Sequence, residues 1–382
     1  MNRDHRYMKQ VLRLALKGLG LVSPNPLVGA LIVNKGRVLA TGYHARFGAA
    51  HAEIDALKKI KFKAEGATLY CNLEPCCHQG KTPPCVDRVI ASGIKRVVIA
   101  QKDPNPKVNG RSIKILKKHG VEVVVGVCEE EAKYVNRFFN TYHEKKRPYI
   151  IAKLALSTDF KIGLLKNTEK KRVLISSENS RYLVHYWRAV SDAILIGKNT
   201  AFNDNPLLTV RLTRNNQQKL FFKTFLNQQN GRKLPTISSD QFKALSKKKP
   251  MRVLLSHFFD YPESFISKSS CFGKYLIAGT SSVRFNRLIA KKKNVILYKN
   301  RPRGLSGLLK KLGEQSLLCI YIEGGAEVLK SFINAQLIDE YHFYFSPKIM
   351  GTGVDASFLR SILLADTRKK VYKIGVDRLY IC

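Results

Sequence analysis

Three residues that bind zinc well and one acid that can move a proton lie between positions 51 and 85, namely His51, Cys76, Cys85 and Glu53. A catalytic zinc ion keeps three protein ligands and leaves one position for water, so the histidine and the two cysteines suffice. Zinc lowers the pKa of its bound water to about 7, and Glu53 can carry a proton to a ring nitrogen and a departing amine. The spacing therefore predicts hydrolytic deamination of an aminopyrimidine or purine-like ring.

A structural zinc site is the alternative, because the same stretch also contains Cys71, Cys77 and His78. Such a site normally has a fourth protein ligand and a Cys-x-x-Cys pair. Here eight residues separate Cys76 from Cys85, and the histidine and the acid precede both, which favours the catalytic site. Cys71 lies in a predicted strand and is expected to be a packed thiol. Cys77 and His78 are not expected to bind zinc; they either lie beside the ligands or have no role at the site.

The elements around these side chains alternate between strands and helices, as in an α/β domain. A helix is predicted over 4–20, and another is predicted to begin at the zinc histidine. A buried strand follows Pro26 and forms a hairpin through Lys35-Gly36. The remaining predicted elements are strands at 38–43, 67–72, 96–100 and 121–126 and helices at 86–92 and 129–146.

Asn25 and His44 are candidates for contacts with the substrate. Asn25 stands between Pro24 and Pro26, and its amide offers both a donor and an acceptor to the edge of a pyrimidine ring. An asparagine between prolines is also common as a turn residue. His44 precedes the predicted zinc helix and is either a substrate contact or an ordinary loop histidine.

The chain has 382 residues, 45% of them hydrophobic, which suits two domains that each bury a core. Eight cysteines show no regular pairing, so a reducing compartment is expected rather than a disulfide framework. The polar start MNRDHRYMKQ leads into an amphipathic helix, and we find neither a secretory signal nor a membrane span. We therefore expect a cytoplasmic protein.

The formal net charge is +39. A strongly positive charge is typical of proteins that bind nucleic acids. The lysines and arginines are scattered in short runs through both halves, without a basic tail or a strip of interleaved aromatic residues. A solvated basic surface is the preferred interpretation, and a polyanion-binding protein is the alternative from another functional class. A phosphorylated substrate would also be attracted to such a surface.

The first half resembles the deaminase half of the bacterial bifunctional riboflavin-biosynthesis deaminase-reductases in the segments SPNPLVGALIV, HAE, LEPCCHQGKTPPC and QKDPNPKVNGR. The resemblance covers residues 1–147 and implies a cytidine-deaminase-like, three-layer α/β domain. It also implies that His51, Cys76 and Cys85 bind zinc and that Glu53 is the catalytic proton carrier.

The second half, 148–382, resembles the reductase half of the same family in the segments KLALSTD, RAVSDAILIGKNTAFNDNPLLTVR, IYIEGGAEVLKSFI and LIDEYHFYFSPKIMGTG. This implies a dihydrofolate-reductase-like fold and the use of NADPH. The third segment points the same way, because a strand over 317–322 runs into Glu323-Gly324-Gly325 and a helix then begins. Free backbone N–H groups at that helix start would meet a cofactor phosphate, although a tight turn gives the same pattern.

The resemblance also implies the residues of the second site. The cofactor-binding residues would be Ala155, Thr200, Asp204 and Gly325, and the substrate-binding residues would be Arg188, Leu208, Arg211 and Glu323. Arginine suits a ribose phosphate because its planar fork binds two oxygens at once, but both arginines would also serve as surface ion-pair residues. Hydride transfer would come from the cofactor, while the protein supplies position and excludes water.

The second half departs from the family's usual sequence. Phe160 replaces a glycine of the usual SLDGK segment, Arg172 and Leu174 replace a serine and a tryptophan, and Ser256-His257 replaces an Asp-Ser pair. Residues 214–249 form a polar, lysine-rich insertion, which we expect to be a surface loop.

The expected function is a bifunctional enzyme of riboflavin synthesis. The first domain, 1–147, would use zinc to deaminate diaminohydroxyphosphoribosylaminopyrimidine. The second, 148–382, would use NADPH to reduce the ribosyl group of 5-amino-6-(5-phosphoribosylamino)uracil to ribityl. The alternative is a deaminase whose degenerate second domain serves as a dimerisation scaffold. We expect a homo-oligomer formed through the second domain, and neither a membrane nor a nucleic acid as a partner.

Overall fold

The computed structural model contains two compact units. Unit 1 comprises Met1–Lys146 with Ile237–Gln241, and unit 2 comprises Arg147–Thr236 with Phe242–Cys382. The described residues are 2–79, 83–163, 174–212, 238–259, 275–281, 295–298, 304–365 and 369–382. None of the helices in these ranges is long and apolar enough to cross a membrane.

Unit 1 is built on one five-stranded sheet. Its elements in chain order are α1 (Arg3–Ala15), β1 (Gly29–Asn34), β2 (Arg37–Tyr43), α2 (Ala52–Lys59), β3 (Thr68–Leu73), α3 (Cys85–Ala91), β4 (Arg96–Gln101), α4 (Arg111–Lys118), β5 (Glu122–Val125), α5 (Glu129–Val135) and α6 (Arg137–Lys145). The strand order is β2-β1-β3-β4-β5. Strand β1 runs antiparallel to β2 and β3, and β3, β4 and β5 are parallel.

Close backbone contact fixes the position of α2, the helix that follows His51. A Cβ atom on Gly42 of β2 would stand 2.1 Å from the carbonyl oxygen of Ala52, so only glycine lets α2 pack this closely. The predicted hairpin turn is present between β1 and β2, where Lys35 and Gly36 have φ angles of 47° and 80°. Two consecutive positive φ angles are typical of a tight two-residue turn.

The helices of unit 1 differ from the prediction in three respects. Helix α1 ends at Ala15, and a 3-10 turn over Leu16–Gly18 follows it. The predicted helix over 129–146 is two helices that meet at Asn136, whose buried amide accepts from the N–H of Leu27 over 2.8 Å and donates to its carbonyl over 3.0 Å. Helix α4 was not predicted at all.

Unit 2 contains a nine-stranded sheet in the order β10-β9-β8-β7-β11-β6-β12-β14-β13. Its elements in chain order are β6 (Tyr149–Leu156), α7 (Glu178–Val190), β7 (Ala193–Gly197), α8 (Lys198–Asp204), α9 (Ser239–Ser246), β8 (Met251–Phe259), β9 (Tyr275–Ser281), β10 (Val295–Tyr298), α10 (Gly304–Glu314), β11 (Cys319–Ile322), α11 (Ala326–Asn334), β12 (Glu340–Phe345), α12 (Arg360–Ala365), β13 (Lys370–Ile374) and β14 (Asp377–Ile381). Helix α9 begins in the part that belongs to unit 1.

In the order of the sheet, the first seven strands, which begin with β10 and end with β12, are parallel to one another. Strand β14 runs antiparallel to both of its neighbours, β12 and β13. The carboxyl ends of β6, β7 and β11 therefore meet at one edge of the sheet, where ligands bind in open α/β folds. Part of the insertion that was predicted to be a surface loop forms the helix α9. This helix is packed against the protein, since its side chains Phe242 and Leu245 are buried. Residues 214–237 of the insertion lie outside the described residues.

Candidate active sites

The predicted zinc ligands converge near the starts of two helices of unit 1. His51 immediately precedes α2, and Cys85 is the first residue of α3. His51 Nδ1 lies 3.2 Å from Cys85 Sγ and 3.5 Å from Cys76 Sγ. Within the described residues, this is the one group of three His, Cys, Asp or Glu side chains whose ligand atoms all lie within 4.8 Å of one another.

These distances fit a tetrahedral zinc ion. Zinc binds cysteine sulfur at about 2.3 Å and histidine nitrogen at about 2.0 Å, so a nitrogen and a sulfur ligand stand roughly 3.5 Å apart. The two measured distances from His51 Nδ1 to sulfur, 3.2 and 3.5 Å, are close to this value. The three side chains are therefore arranged as zinc would require.

The two cysteines differ in their acidity. The pKa of Cys76 is lowered, first because the Cys85 thiol forms a hydrogen bond to it and further because His51 does so. The pKa of Cys85 is raised by the same interaction with Cys76 and by burial. Cysteine binds metals as a thiolate, so Cys76 is the thiol that is more readily available in the required form.

Glu53 lies in the first turn of α2 with 3% of its surface exposed. Burial raises the pKa of Glu53 to about 7, and the negative charge on Cys76 adds to the effect. A carboxyl group with a pKa near neutrality can both accept and donate a proton at physiological pH. The side chain thus has the environment that a proton carrier needs.

Asn25 and His44, the two candidate substrate contacts, are hydrogen-bonded to each other. His44 Nδ1 lies 3.0 Å from the carbonyl oxygen of Ala50, which can only accept, so this nitrogen carries the proton. Nε2 of His44 then accepts from the Asn25 side-chain amide over 3.0 Å. Burial lowers the pKa of His44, which favours this neutral form. The amide oxygen of Asn25 is therefore oriented as an acceptor.

The other cysteines of the stretch take the places that were expected of them. Cys71 is buried in β3, and burial raises its pKa well above the usual value. Cys77 lies outside the ligand group, and its sulfur is 3.8 Å from the carbonyl oxygen of Lys107. His78 is not part of the ligand group either.

Two buried acids near the ligands were missed in the sequence. Glu74 precedes Pro75-Cys76, and Asp103 lies in the DPNP segment; only 3% and 6% of their surfaces are exposed. Burial raises the pKa of Asp103 to about 7. The available signal was an acid close behind an apolar strand, since Glu74 directly follows β3 and Asp103 stands two positions after the end of β4.

In unit 2, Arg188 and Glu323 form a buried ion pair. Arg188 Nε and Nη2 donate to the two carboxylate oxygens of Glu323 over 2.5 and 2.7 Å, and Nη1 donates to the carbonyl of Thr209 over 3.0 Å. Burial raises the pKa of Glu323 and is the largest single influence on it, but the charge and hydrogen bonds of Arg188, with smaller contributions from Lys153 and His185, together outweigh it and the net pKa is lowered. The fork of Arg188 is thus occupied by protein groups, whereas the family resemblance implied that it would hold substrate.

The predicted cofactor-binding residues of the second site lie at or after the carboxyl ends of neighbouring strands. Ala155 lies near the end of β6, and Thr200 and Asp204 lie in α8, which follows β7. Gly325 precedes α11, and a Cβ atom on it would stand 3.5 Å from Thr200 Oγ1. These predicted cofactor residues therefore share one edge of the sheet.

Leu208 and Arg211 lie on the segment after α8. Leu208 is 2% exposed and has a φ angle of 49°. Arg211 is exposed, and its Nη1 donates to Thr209 Oγ1 over 2.9 Å. His185 Nδ1 lies 3.0 Å from the carbonyl of Thr209, so the same segment is tied to α7.

The departures from the family can be located in part. Phe160 has a φ angle of 58°, a conformation that glycine adopts easily and other residues adopt at a cost. Its ring packs edge-on against Phe345, with 5.2 Å between centroids, and the Arg360 guanidinium lies 4.8 Å from its centre. Leu174 is exposed and Ser256 lies in β8, while Arg172 lies outside the described residues.

Comparison with known families assigns both halves of the chain. Residues 1–101 match the cytidine and deoxycytidylate deaminase zinc-binding region. Residues 148–378 match the RibD C-terminal domain. These matches confirm the expected fold class, with a cytidine-deaminase-like domain followed by a reductase domain, and they support zinc and NADPH as the cofactors.

Relatives match over nearly the whole chain. The riboflavin biosynthesis protein RibD of Aquifex aeolicus is 38% identical over 98% of this chain and 96% of its own length. The Escherichia coli RibD is 33% identical over 92% of this chain and 89% of its own length.

Two solved structures show the same fold. RibD of Acinetobacter baumannii has a TM-score of 0.79 at 29% identity, and the alignment covers 99% of this chain and 98% of that one. A diaminohydroxyphosphoribosylaminopyrimidine deaminase/5-amino-6-(5-phosphoribosylamino)uracil reductase of Thermotoga maritima has a TM-score of 0.75 at 31% identity, with 99% and 97% coverage. On this identity, coverage and domain composition, the chain belongs to the RibD family of riboflavin biosynthesis enzymes, which carry a deaminase and a reductase.

Proposed function

We propose that residues 1–147 deaminate diaminohydroxyphosphoribosylaminopyrimidine and that residues 148–382 then reduce the ribosyl group of 5-amino-6-(5-phosphoribosylamino)uracil to ribityl. The Thermotoga maritima relative, which is a deaminase and reductase of these two compounds, matches 99% of this chain. The observation that carries the proposal is the zinc-binding geometry of His51, Cys76 and Cys85 beside the buried acid Glu53.

In the first site the three ligands would hold zinc, which supplies a reactive water at neutral pH when bound. Glu53 moves the protons, because its carboxylate can take one proton from the attacking water and give it to the ring nitrogen, and can then take a second proton from the added hydroxyl group and give it to the leaving amine. A pKa near 7 suits both directions of transfer. His51, Cys76 and Cys85 position the reaction, and Glu53 is the catalytic residue.

Asn25 would read the ring in the first site. The Asn25 amide nitrogen donates to His44. The amide oxygen can therefore accept a hydrogen bond from an N–H group on the edge of the pyrimidine. An aminopyrimidine offers such N–H donors on its ring and amino groups. His44 acts through Asn25 as a positioning residue.

In the second site NADPH would supply a hydride when bound. Thr200, the backbone N–H groups after Gly325, Ala155 and Asp204 would hold the cofactor at the carboxyl edge of the sheet. Glu323 would face the substrate beside Leu208, held in place by its pair with Arg188.

We assign the substrate phosphate of the second site to Arg211 rather than to Arg188. Arg188 already donates to Glu323 and to Thr209, so its planar fork is directed at protein oxygens. Arg211 is exposed on the neighbouring segment, and an arginine there can bind two phosphate oxygens at once.

One mixed assay tests the two activities. Purified protein is given the phosphorylated diaminopyrimidine and NADPH, and ammonia release and the loss of NADPH absorbance are followed together. We expect ammonia first and NADPH oxidation after it. Ammonia without NADPH oxidation, even with added deaminated product, would leave the second domain as a scaffold.

We further propose a homo-oligomer formed through residues 148–382 and a cytoplasmic location. Strand β13 ends the sheet of unit 2, and Val371 and Val376 nearby are 50% and 70% exposed. Light scattering after size-exclusion chromatography would measure the oligomeric state, and a monomeric mass would contradict the proposed homo-oligomer.

The described cysteines are all free thiols, which suits a reducing compartment and so the proposed cytoplasmic location.

A further inference from the structure

We propose that Glu74 is a positioning residue for the deaminase, because its carboxylate ties the segment 103–113 to the chain beside the zinc ligand Cys76. The inference rests on the proposed deaminase function. Glu74 directly follows β3 and is 3% exposed. It stands two residues before Cys76 and is not itself within the ligand group.

The Glu74 carboxylate accepts hydrogen bonds from four backbone N–H groups of that segment. Oε2 accepts from Asp103 over 3.3 Å and from Gly110 over 2.8 Å. Oε1 accepts from Ser112 over 3.1 Å and from Ile113 over 3.4 Å. A buried carboxylate needs such donors, because burying it without partners is strongly unfavourable.

Three of the four donors lie at the start of α4. The residue before this helix is Gly110, which has no side chain to cap the free N–H groups. Glu74 therefore caps α4 from the segment that follows β3, and its negative charge is favourable at the positive end of the helix dipole. Loss of this carboxylate would leave the start of α4 without its acceptor.

The same segment holds the residues on both sides of Cys76. Ser112 Oγ donates to the carbonyl of Pro75 over 2.5 Å. Cys77 Sγ lies 3.8 Å from the carbonyl of Lys107. Cys76 itself points elsewhere, because its sulfur accepts from the N–H of Cys85 over 3.3 Å. The main chain that carries this ligand is thus fixed by contacts with 103–113.

Hydrogen bonds within the segment 103–113 also restrain it. Asp103 accepts from the N–H of Asn105 over 2.8 Å, and Asn105 accepts from the N–H of Lys107 over 3.1 Å. Consecutive side-chain turns of this kind restrain a loop that has no regular secondary structure. A stiff segment anchored by Glu74 can hold Cys76 at the distance that zinc binding needs.

The test compares Glu74→Gln with the wild-type protein. Glutamine keeps the size but turns one acceptor into a donor that faces N–H groups. Groups that hold metal ligands in place typically change metal affinity or activity by about 10- to 100-fold when removed. We expect zinc to transfer to a chelator faster by such a factor, and amides of 103–113 to exchange faster with deuterium in both the zinc-loaded and the zinc-free protein.

Glu122→Gln is the matched control. Glu122 lies in β5 of the same unit, and its side chain is 63% exposed where it accepts from Arg96. The same change of charge there should leave zinc release and amide exchange of 103–113 at wild-type rates. Ser112→Ala, which removes only the bond to Pro75, should shift zinc release in the same direction as Glu74→Gln but by less.

Wild-type rates of zinc release and of amide exchange in Glu74→Gln would overturn the proposal. If that variant does not fold, Ser112→Ala with wild-type zinc release overturns it instead. A loss of ammonia release with both rates unchanged would also overturn it, since Glu74 would then act in another way. Failure of the wild-type protein to deaminate would contradict the proposed function, while the zinc and exchange comparison would still decide the role of Glu74.

Discussion

The two candidate sites hold buried carboxylic acids in opposite ways. In unit 1, burial is the leading influence on Glu53 and raises its pKa to about 7. In unit 2, the side chain of Glu323 is 10% exposed, and burial also raises its pKa, but the ion pair with Arg188 lowers that pKa on balance. A site that must move protons keeps an acid near neutrality, whereas a site whose cofactor supplies the hydride needs fixed charges that orient the substrate.

The largest expected effect is the loss of zinc from unit 1. In Cys85→Ser we expect zinc to fall from about one ion per chain towards none, because a catalytic zinc has only three protein ligands. Ammonia release should disappear, while NADPH oxidation with the deaminated product should continue. Metal analysis measures the zinc, and Cys77→Ser is the control that should keep it. Full zinc in Cys85→Ser would mean that the ligand is another residue.

The next effect concerns the ion pair of unit 2. Glu323→Gln leaves the Arg188 charge buried without its partner, which should lower the free energy of unfolding of unit 2 by about 3–5 kcal/mol. The chain has one tryptophan, Trp187 in α7, so its fluorescence during urea unfolding reports on this unit. Glu327→Gln, at a side chain that is 80% exposed, is the control. Equal stability of the two variants would contradict the role of the pair.

A smaller effect should appear as a dependence of stability on pH. Burial lowers the pKa of His185 to about 4 from 6.5, and Arg188 and Arg211 add to the shift. Between those values the unfolded chain binds a proton that the folded unit does not, so stability falls as the pH drops from about 6.5 to 4, by up to about 3 kcal/mol. Unfolding of His185→Gln, followed by Trp187 fluorescence, should show a shallower pH dependence. An unchanged slope would argue against a neutral buried histidine.

The smallest effect separates strain from packing at Phe160. Phe160→Ala keeps the positive φ angle and loses the ring contacts with Phe345 and Arg360, so it should destabilise unit 2. Phe160→Gly loses the same contacts but relieves the backbone, and it should be more stable than Phe160→Ala by about 1 kcal/mol. Urea unfolding of the two variants measures the difference. A glycine variant less stable than the alanine variant would exclude backbone strain.

The sequence predicted much of unit 1 because its chemistry and its elements coincide in short segments. His51, Glu53, Cys76 and Cys85 all lie within one stretch, and zinc chemistry allows few arrangements of such residues. The role of Glu74 was missed, because its partners lie about thirty to forty positions away along the chain. Hydrogen bonds of that separation leave no local pattern.

In unit 2 the sequence predicted the strand that precedes Glu323-Gly324-Gly325 and the helix that follows it. It could not show that Arg188 binds Glu323, because 135 positions separate them and an arginine has the same appearance in a sequence whether it binds a phosphate or a carboxylate. The sheet order that brings these residues together is likewise set by tertiary packing rather than by local propensity.

The most direct test of the account is Glu53→Gln, assayed for three quantities in one preparation. We expect ammonia release to fall by at least about 100-fold, in the range seen when a general acid–base group is removed. Zinc content should stay at the wild-type level, and NADPH oxidation with the deaminated product should be unchanged. Ammonia release at the wild-type rate from zinc-loaded Glu53→Gln would contradict the assignment of Glu53 as the proton carrier and, with it, the contrast between the two sites.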